Sequence, residues 1–201
     1  MPMLSVGKIV DMKLLLASNS PRRRELLGLL DLDYEIVAPR PVEEIYPADL
    51  PAEEVAPYLS ALKASAYVGL PKGDEIIVTA DTVVVCEGLI LGKPKDREDA
   101  VAMLNMLSGK THKVVTGVTL MSERRTVTFS ETTLVTFDAL SDALSDSMIE
   151  TYVDRYRPFD KAGAYGIQEW IGCVGISGIN GCYYNVMGLP LHALHTHLLQ
   201  L

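Results

Sequence analysis

The chain has 201 residues and a formal net charge of −8, with 48% hydrophobic and 22% charged residues. That balance is globular rather than disordered, and the length suits one domain with a substantial core. So acidic a molecule lacks the broad cationic surface of a general nucleic-acid binder; to handle a polyanion it must gather positive charge locally or recruit a metal.

Residues 1–12 read as a leader, with Met12 an alternative start, ahead of a single domain over 13–201. Lys13 to Ala17 is a short apolar run that predicts a buried strand. Arg22 to Leu30 then follows as a helix, with Ser20 as N-cap and Pro21 at the first helical position. Tyr34 to Val37 suggests a second strand, and a proline-rich loop after it carries Glu43 and Glu44. Pro51 to Val68 fits a helix, with Val55, Leu59, Leu62 and Ala66 at helical spacing and Pro57 as a kink or a true start. Glu75 to Cys86 is the strongest strand pattern, β-branched on both sides of Thr79-Ala80-Asp81-Thr82. Gly88 turns the chain, and Leu89 to Gly92 returns toward Lys93.

Arg97 to Leu107 predicts a helix closed by Ser108-Gly109, and Lys113 to Ser122 with Thr126 to Phe137 predicts a hairpin. A DALS-DALS duplication over 138–145 lengthens a loop before a helix over 147–156. Beyond Pro158 the chain is rich in glycine until a terminal helix over Leu191 to Leu201. Elements alternate early and cluster later. The fold class expected is therefore α/β, with a mixed, strongly curved sheet flanked by helices.

Several residues stand out as chemistry. The Ser18 to Arg23 turn joins a strand to a helix N-terminus beside two guanidinium groups, which makes an anion site in principle; a well-capped helix with solvated arginines fits the same letters. It is no Walker loop, because the glycine spacing and the Lys-Ser/Thr ending are missing. Asp81 sits amid an apolar strand, where a charge is costly unless paired, hydrogen-bonded or on a metal. A strand-end Asp accepting backbone hydrogen bonds is the plainer alternative, and the apolar flanks favour use in function. Lys63 lies near the apolar face of its helix and Lys93 follows the Gly92 turn. Converging with Arg22 and Arg23, they suit a triphosphate, which carries about four negative charges. A metal on Asp81 and Glu44 would add the remaining compensation. The stretch 160–168 combines small residues, which let a ligand approach the backbone, with the Gln168 amide, which suits a base edge.

Cys86, Cys173 and Cys182 are odd in number and form no CxxC pair, which favours a reducing cytoplasm. No membrane-spanning length and no signal-peptide core are apparent. His192, His195 and His197 share an amphipathic terminal helix without an acid or thiolate partner and read as structural or solvated.

The blocks LLLASNSPRRRELL, the Glu43-Glu44 loop, LSALKA, TADTVV, LGKPKD, MLNMLSGKTH, DKAGAYGIQ and INGCYYNVMGLPL occur in this order over nearly the whole chain. Together they resemble the Maf family of nucleotide pyrophosphatases. The resemblance implies two lobes around a central cleft (a Maf/ITPase-like fold), divalent metal (Mg²⁺ or Mn²⁺), and cleavage between the α- and β-phosphates of a nucleoside triphosphate. It implies Asp81 as proton acceptor, Glu44 with Asp81 at the metal, Lys63 and Lys93 near the phosphates, and Ser18 and Arg23 in the phosphate-side loop. Arg22, Thr82 and Gln168 match the branch similar to dTTP and UTP pyrophosphatases; the 7-methyl-GTP branch carries Trp, Gln and Glu there. A homodimer is suggested by family similarity alone, with neither nucleic acid nor membrane as partner. Two alternatives stay open: a purine or 7-methyl-GTP pyrophosphatase on the same scaffold, and a nucleotide-binding regulator with little turnover.

Overall fold

A computed structural model of the chain describes residues 12–139 and 146–201. Residues 1–11 of the expected leader and 140–145 of the DALS duplication lie outside the described residues. The element order is β1 (Lys13–Leu16), α1 (Pro21–Gly28), β2 (Tyr34–Ile36), α2 (Ala52–Ser65), β3 (Glu75–Cys86), β4 (Leu89–Leu91), α3 (Arg97–Leu107), β5 (Thr111–Met121), β6 (Thr126–Phe137), α4 (Asp146–Tyr156), a 3₁₀ turn (Ala162–Ala164), α5 (Trp170–Val174), β7 (Ile176–Asn180), α6 (Tyr183–Met187) and α7 (Leu191–Leu198).

Seven strands form one mixed sheet in the order β2-β1-β3-β5-β6-β7, with β4 paired to β3. β1 runs parallel to both β2 and β3, as a strand–helix–strand start demands, while β4 and β7 pair antiparallel with β3 and β6. Glu87 and Gly88, at φ of 51° and 80°, make the two-residue turn between β3 and β4. The glycine-rich stretch after Pro158, for which the pattern offers no regular element, holds α5, β7 and α6. The last helix stops at Leu198 and α2 at Ser65, both short of the expected ends.

The described residues group into two compact units. One takes the residues up to Asp81 with Thr116–Glu131 and Gly188–Leu201; the other takes Thr82–Val115 and Thr132–Met187. The chain crosses between them four times: inside β3, β5 and β6, each of which is continuous, and at Met187/Gly188, where α6 ends.

In the first unit, Leu14, Leu16, Leu26, Leu27 and Val55 are buried, and Leu15, Ala17, Ala64, Tyr67, Ile77 and Met121 pack as one cluster. Pro57 stands inside α2 without ending it. A Cβ built on Gly117 of β5 would lie 2.2 Å from the Pro57 nitrogen, so helix and strand backbones meet where one residue lacks a side chain and the other lacks an N–H. In the second unit the core gathers Val84, Cys86, Leu104, Leu107, Phe137 and Tyr152 among others. Among the described residues no helix is long and apolar enough to cross a membrane.

Candidate active site

Leaving β1, the chain makes a tight turn before α1. The Ser20 hydroxyl accepts from Arg23 N at 3.4 Å, the N-cap expected of it, and Pro21 starts the helix. Buried Ser18 accepts from Ser20 N at 3.2 Å through its hydroxyl, and its carbonyl accepts from Arg24 Nη2 at 3.4 Å. The first turn of α1 carries no acidic side chain, so the positive end of the helix is left uncompensated by its own residues. Arg23 Nε donates to the Gly188 carbonyl at 2.8 Å, which fixes the guanidinium plane. Burial of that guanidinium lowers its pKa; the Asp81 carboxylate opposes the shift, Arg22 adds to it, and Glu44 opposes it more weakly. An arginine keeps its charge regardless. These influences place Arg23 within electrostatic reach of Arg22, Glu44 and Asp81.

Lys63 sits in the last turn of α2. Its ammonium lies 2.5 Å from Asp81 Oδ1 and 3.0 Å from Glu44 Oε2, so one lysine bridges two carboxylates. Asp81 and Thr82 are the two half-buried positions in the middle of otherwise buried β3. The Asp81 side chain is only 15% exposed, against 50% for Glu44, and a carboxylate so enclosed requires the partner it has.

Tyr67, one turn beyond Lys63, went unremarked in the sequence because an aromatic at helical spacing reads as core. Its hydroxyl accepts from Arg40 N at 2.7 Å and donates to the Ala38 carbonyl at 2.9 Å. Arg40 in turn donates to the Ala66 carbonyl at 2.6 Å and lies over the Tyr67 ring. The stretch leading to Glu44 is therefore tied to the helix that carries Lys63.

For a metal, the relevant donors are these two carboxylates. Among the described residues no group of three His, Cys, Asp or Glu is gathered for one ion. Two carboxylate groups converging on one cation suit a hard divalent ion of the magnesium type, which takes one or two carboxylates and completes its shell with phosphate and water oxygens.

The other expected residues belong to the second unit. Lys93 is exposed and follows Gly92, whose carbonyl accepts from Gly163 N at 3.1 Å. Gly163, at φ 69°, lies against Val84, where an added Cβ would come within 3.0 Å of the valine side chain. Gln168 is exposed and stands third in the turn Gly166–Glu169, closed by Glu169 N donating to the Gly166 carbonyl at 3.0 Å. Thr82 is half-buried.

A family model described as "Maf-like protein" matches residues 13–201. The chain belongs to this family. Among curated relatives of this Maf-like chain, one from Porphyromonas gingivalis is 51% identical over 188 residues, 92% of each chain, and is named dTTP/UTP pyrophosphatase. One from Phocaeicola vulgatus is 50% identical over 94% of this chain and 96% of its own, and one from Bacteroides thetaiotaomicron 46% over 98% and 100%; both carry the same name.

Proposed function

We propose that this Maf-like protein hydrolyses dTTP and UTP to the monophosphate and pyrophosphate. The names of relatives 46–51% identical over nearly their full lengths support the activity and the substrate class. The observation that carries the reading is the Lys63 ammonium shared by Asp81 and Glu44, with Arg23 within electrostatic reach, in a chain of net charge −8. Cationic groups suited to phosphates and two carboxylates thus share one place.

On this reading Arg22, Arg23, Lys63 and Lys93 bind the phosphates, and the Ser18–Ser20 turn with the α1 N-terminus supplies backbone donors. Water attacks the α-phosphorus, the bond to the α–β bridging oxygen breaks, and pyrophosphate leaves with that oxygen. Asp81 accepts the proton of the attacking water, and the cationic groups stabilise charge on the phosphates as the bridge breaks. A divalent cation held by Glu44 and Asp81 would supply Lewis-acid charge neutralisation when bound. Gln168, with Thr82, reads the pyrimidine. The cytoplasm is the matching compartment, since Cys86, Cys173 and Cys182 are all free thiols.

The test is a panel of nucleoside triphosphates incubated with pure protein and Mg²⁺ or Mn²⁺. Pyrophosphate is expected, fastest from dTTP and UTP, with Asp81→Asn slower by about 10³-fold. Orthophosphate as product would overturn the bond assignment, and faster turnover of ITP or 7-methyl-GTP would overturn the substrate. An Asp81→Asn variant as active as the parent would remove the carboxylate from the chemistry.

A further inference from the structure

The turn that carries Gln168 is held from behind by a buried hydroxyl. Tyr152 of α4 is wholly buried. Its hydroxyl accepts from Gly166 N at 3.1 Å and donates to Glu169 Oε2, so one oxygen holds both ends of the four-residue turn Gly166–Glu169. The second carboxylate oxygen, Glu169 Oε1, is 3.1 Å from the ammonium of buried Lys161, which also pairs with Asp160 at 2.8 Å. Space is as restricted as bonding. A Cβ on Gly166 would lie 2.8 Å from the Glu169 carboxyl carbon, and one on Gly172 would lie 1.8 Å from the Ile167 carbonyl oxygen. Beyond the turn, Trp170 stacks on Tyr156, which stacks on Tyr152. Burial, then the bond to Glu169, raises the Tyr152 pKa, so the hydroxyl stays a neutral donor.

A surface glutamine needs none of this. A solvated amide on an ordinary turn costs nothing when its backbone wanders, whereas a Tyr–Glu–Lys chain whose ends are buried and whose glutamate is largely enclosed must satisfy its members to avoid a desolvation penalty. The braces leave one side chain of the turn exposed, and it is the amide of Gln168.

We propose that Tyr152, Glu169 and Lys161 are positioning residues for nucleobase discrimination: they hold the Gly166–Glu169 turn so that the Gln168 amide meets the base edge with its donor and acceptor already oriented. The inference rests on the reading in which Gln168 contacts the base. Preorganisation of this kind favours the base that matches the amide and does nothing for one that does not.

The experiment compares kcat/KM for dTTP and UTP with that for CTP and GTP in the parent, Gln168→Ala, Tyr152→Phe and Glu169→Gln. Tyr152→Phe keeps the ring stack and removes the oxygen that holds both ends of the turn. It is expected to lower the preference for dTTP and UTP by about tenfold, mainly through KM, with kcat at saturating dTTP within about twofold of the parent. Glu169→Gln keeps a partner for the Tyr152 hydroxyl while removing the ion pair with Lys161; a smaller loss in the same direction is expected. It also carries the test should Tyr152→Phe fail to fold. A uniform fall for all four nucleotides, or an unchanged preference in the folded variants, would overturn the proposal. If Gln168→Ala alone relaxes the preference, the base contact stands and the bracing fails; if Gln168→Ala changes nothing, the underlying reading of Gln168 fails instead.

Discussion

His112 shows at the scale of one residue how burial is converted into pH dependence. The ring is 2% exposed, its Nε2 lies 2.8 Å from the Tyr165 hydroxyl, and its Nδ1 has no partner among the described residues. Burial lowers its pKa from 6.5 to about 4. In the unfolded chain the imidazole takes up a proton near pH 6.5, while the folded chain refuses it until about pH 4. The neutral ring is therefore fully compatible with the fold above pH 6.5, and stability is lost as pH falls through the window from 6.5 to 4. At pH 5 the loss relative to pH 7 is about 2 kcal/mol from this group. Urea midpoints taken at both pH values will show it, and His112→Gln is expected to lose that part of the slope. An identical slope in the variant would assign the acid sensitivity to the carboxylates. The contrast with Asp81 is instructive: both groups are enclosed, but Asp81 is held beside an ammonium while His112 is kept neutral.

At the scale of elements, the contact between α2 and β5 sets the tightest tolerance. The hypothetical Cβ of Gly117 meets the backbone nitrogen and Cα of Pro57 at 2.2 and 2.3 Å, and backbone cannot rotate away as a side chain can. Gly117→Ala is expected to cost about 3 kcal/mol or to prevent folding. Gly28→Ala, where the new methyl would find only the Tyr34 side chain, its hydroxyl at 3.5 Å and its ring at 3.9 Å, is expected to be neutral or slightly stabilising. Thermal denaturation of the pair measures the difference. Equal melting temperatures would mean that α2 moves aside freely.

Elements with a period were legible in the sequence, and those without were not. β3 occupies Glu75–Cys86 as its β-branched run implies, and α3 ends at Leu107 before Ser108-Gly109. α5, β7 and α6 have five residues each, too short for a pattern to accumulate among glycines. At the candidate site, the cost of an enclosed charge pointed to Asp81 needing a partner, and Lys63 is beside it. Tyr67, Tyr152 and Glu169 escaped notice for a physical reason. A buried tyrosine looks like any core aromatic until its hydroxyl's partners are seen, and a glutamate beside a turn looks solvated.

At the scale of the whole molecule, three of the four crossings between the units lie within strands, in β3, β5 and β6, and the fourth follows α6. A strand cannot melt on one side of its midpoint without freeing backbone groups on the other, so unfolding is expected as one transition. Trp170, the chain's single tryptophan, reports the second unit by its emission, and exchange of β1 amides reports the first. Coincident denaturant midpoints are expected, and two separated midpoints would show independent units.

α2 has a mechanical consequence. The last turn of this helix presents the Lys63 ammonium, and the two residues that follow it, through the Ala66 carbonyl and the Tyr67 hydroxyl, grip Arg40 and Ala38 on the way to Glu44. Glu44 and Lys63 are thus joined twice, by their own ion pair and through the end of one helix, while Asp81 reaches the same ammonium from the sheet.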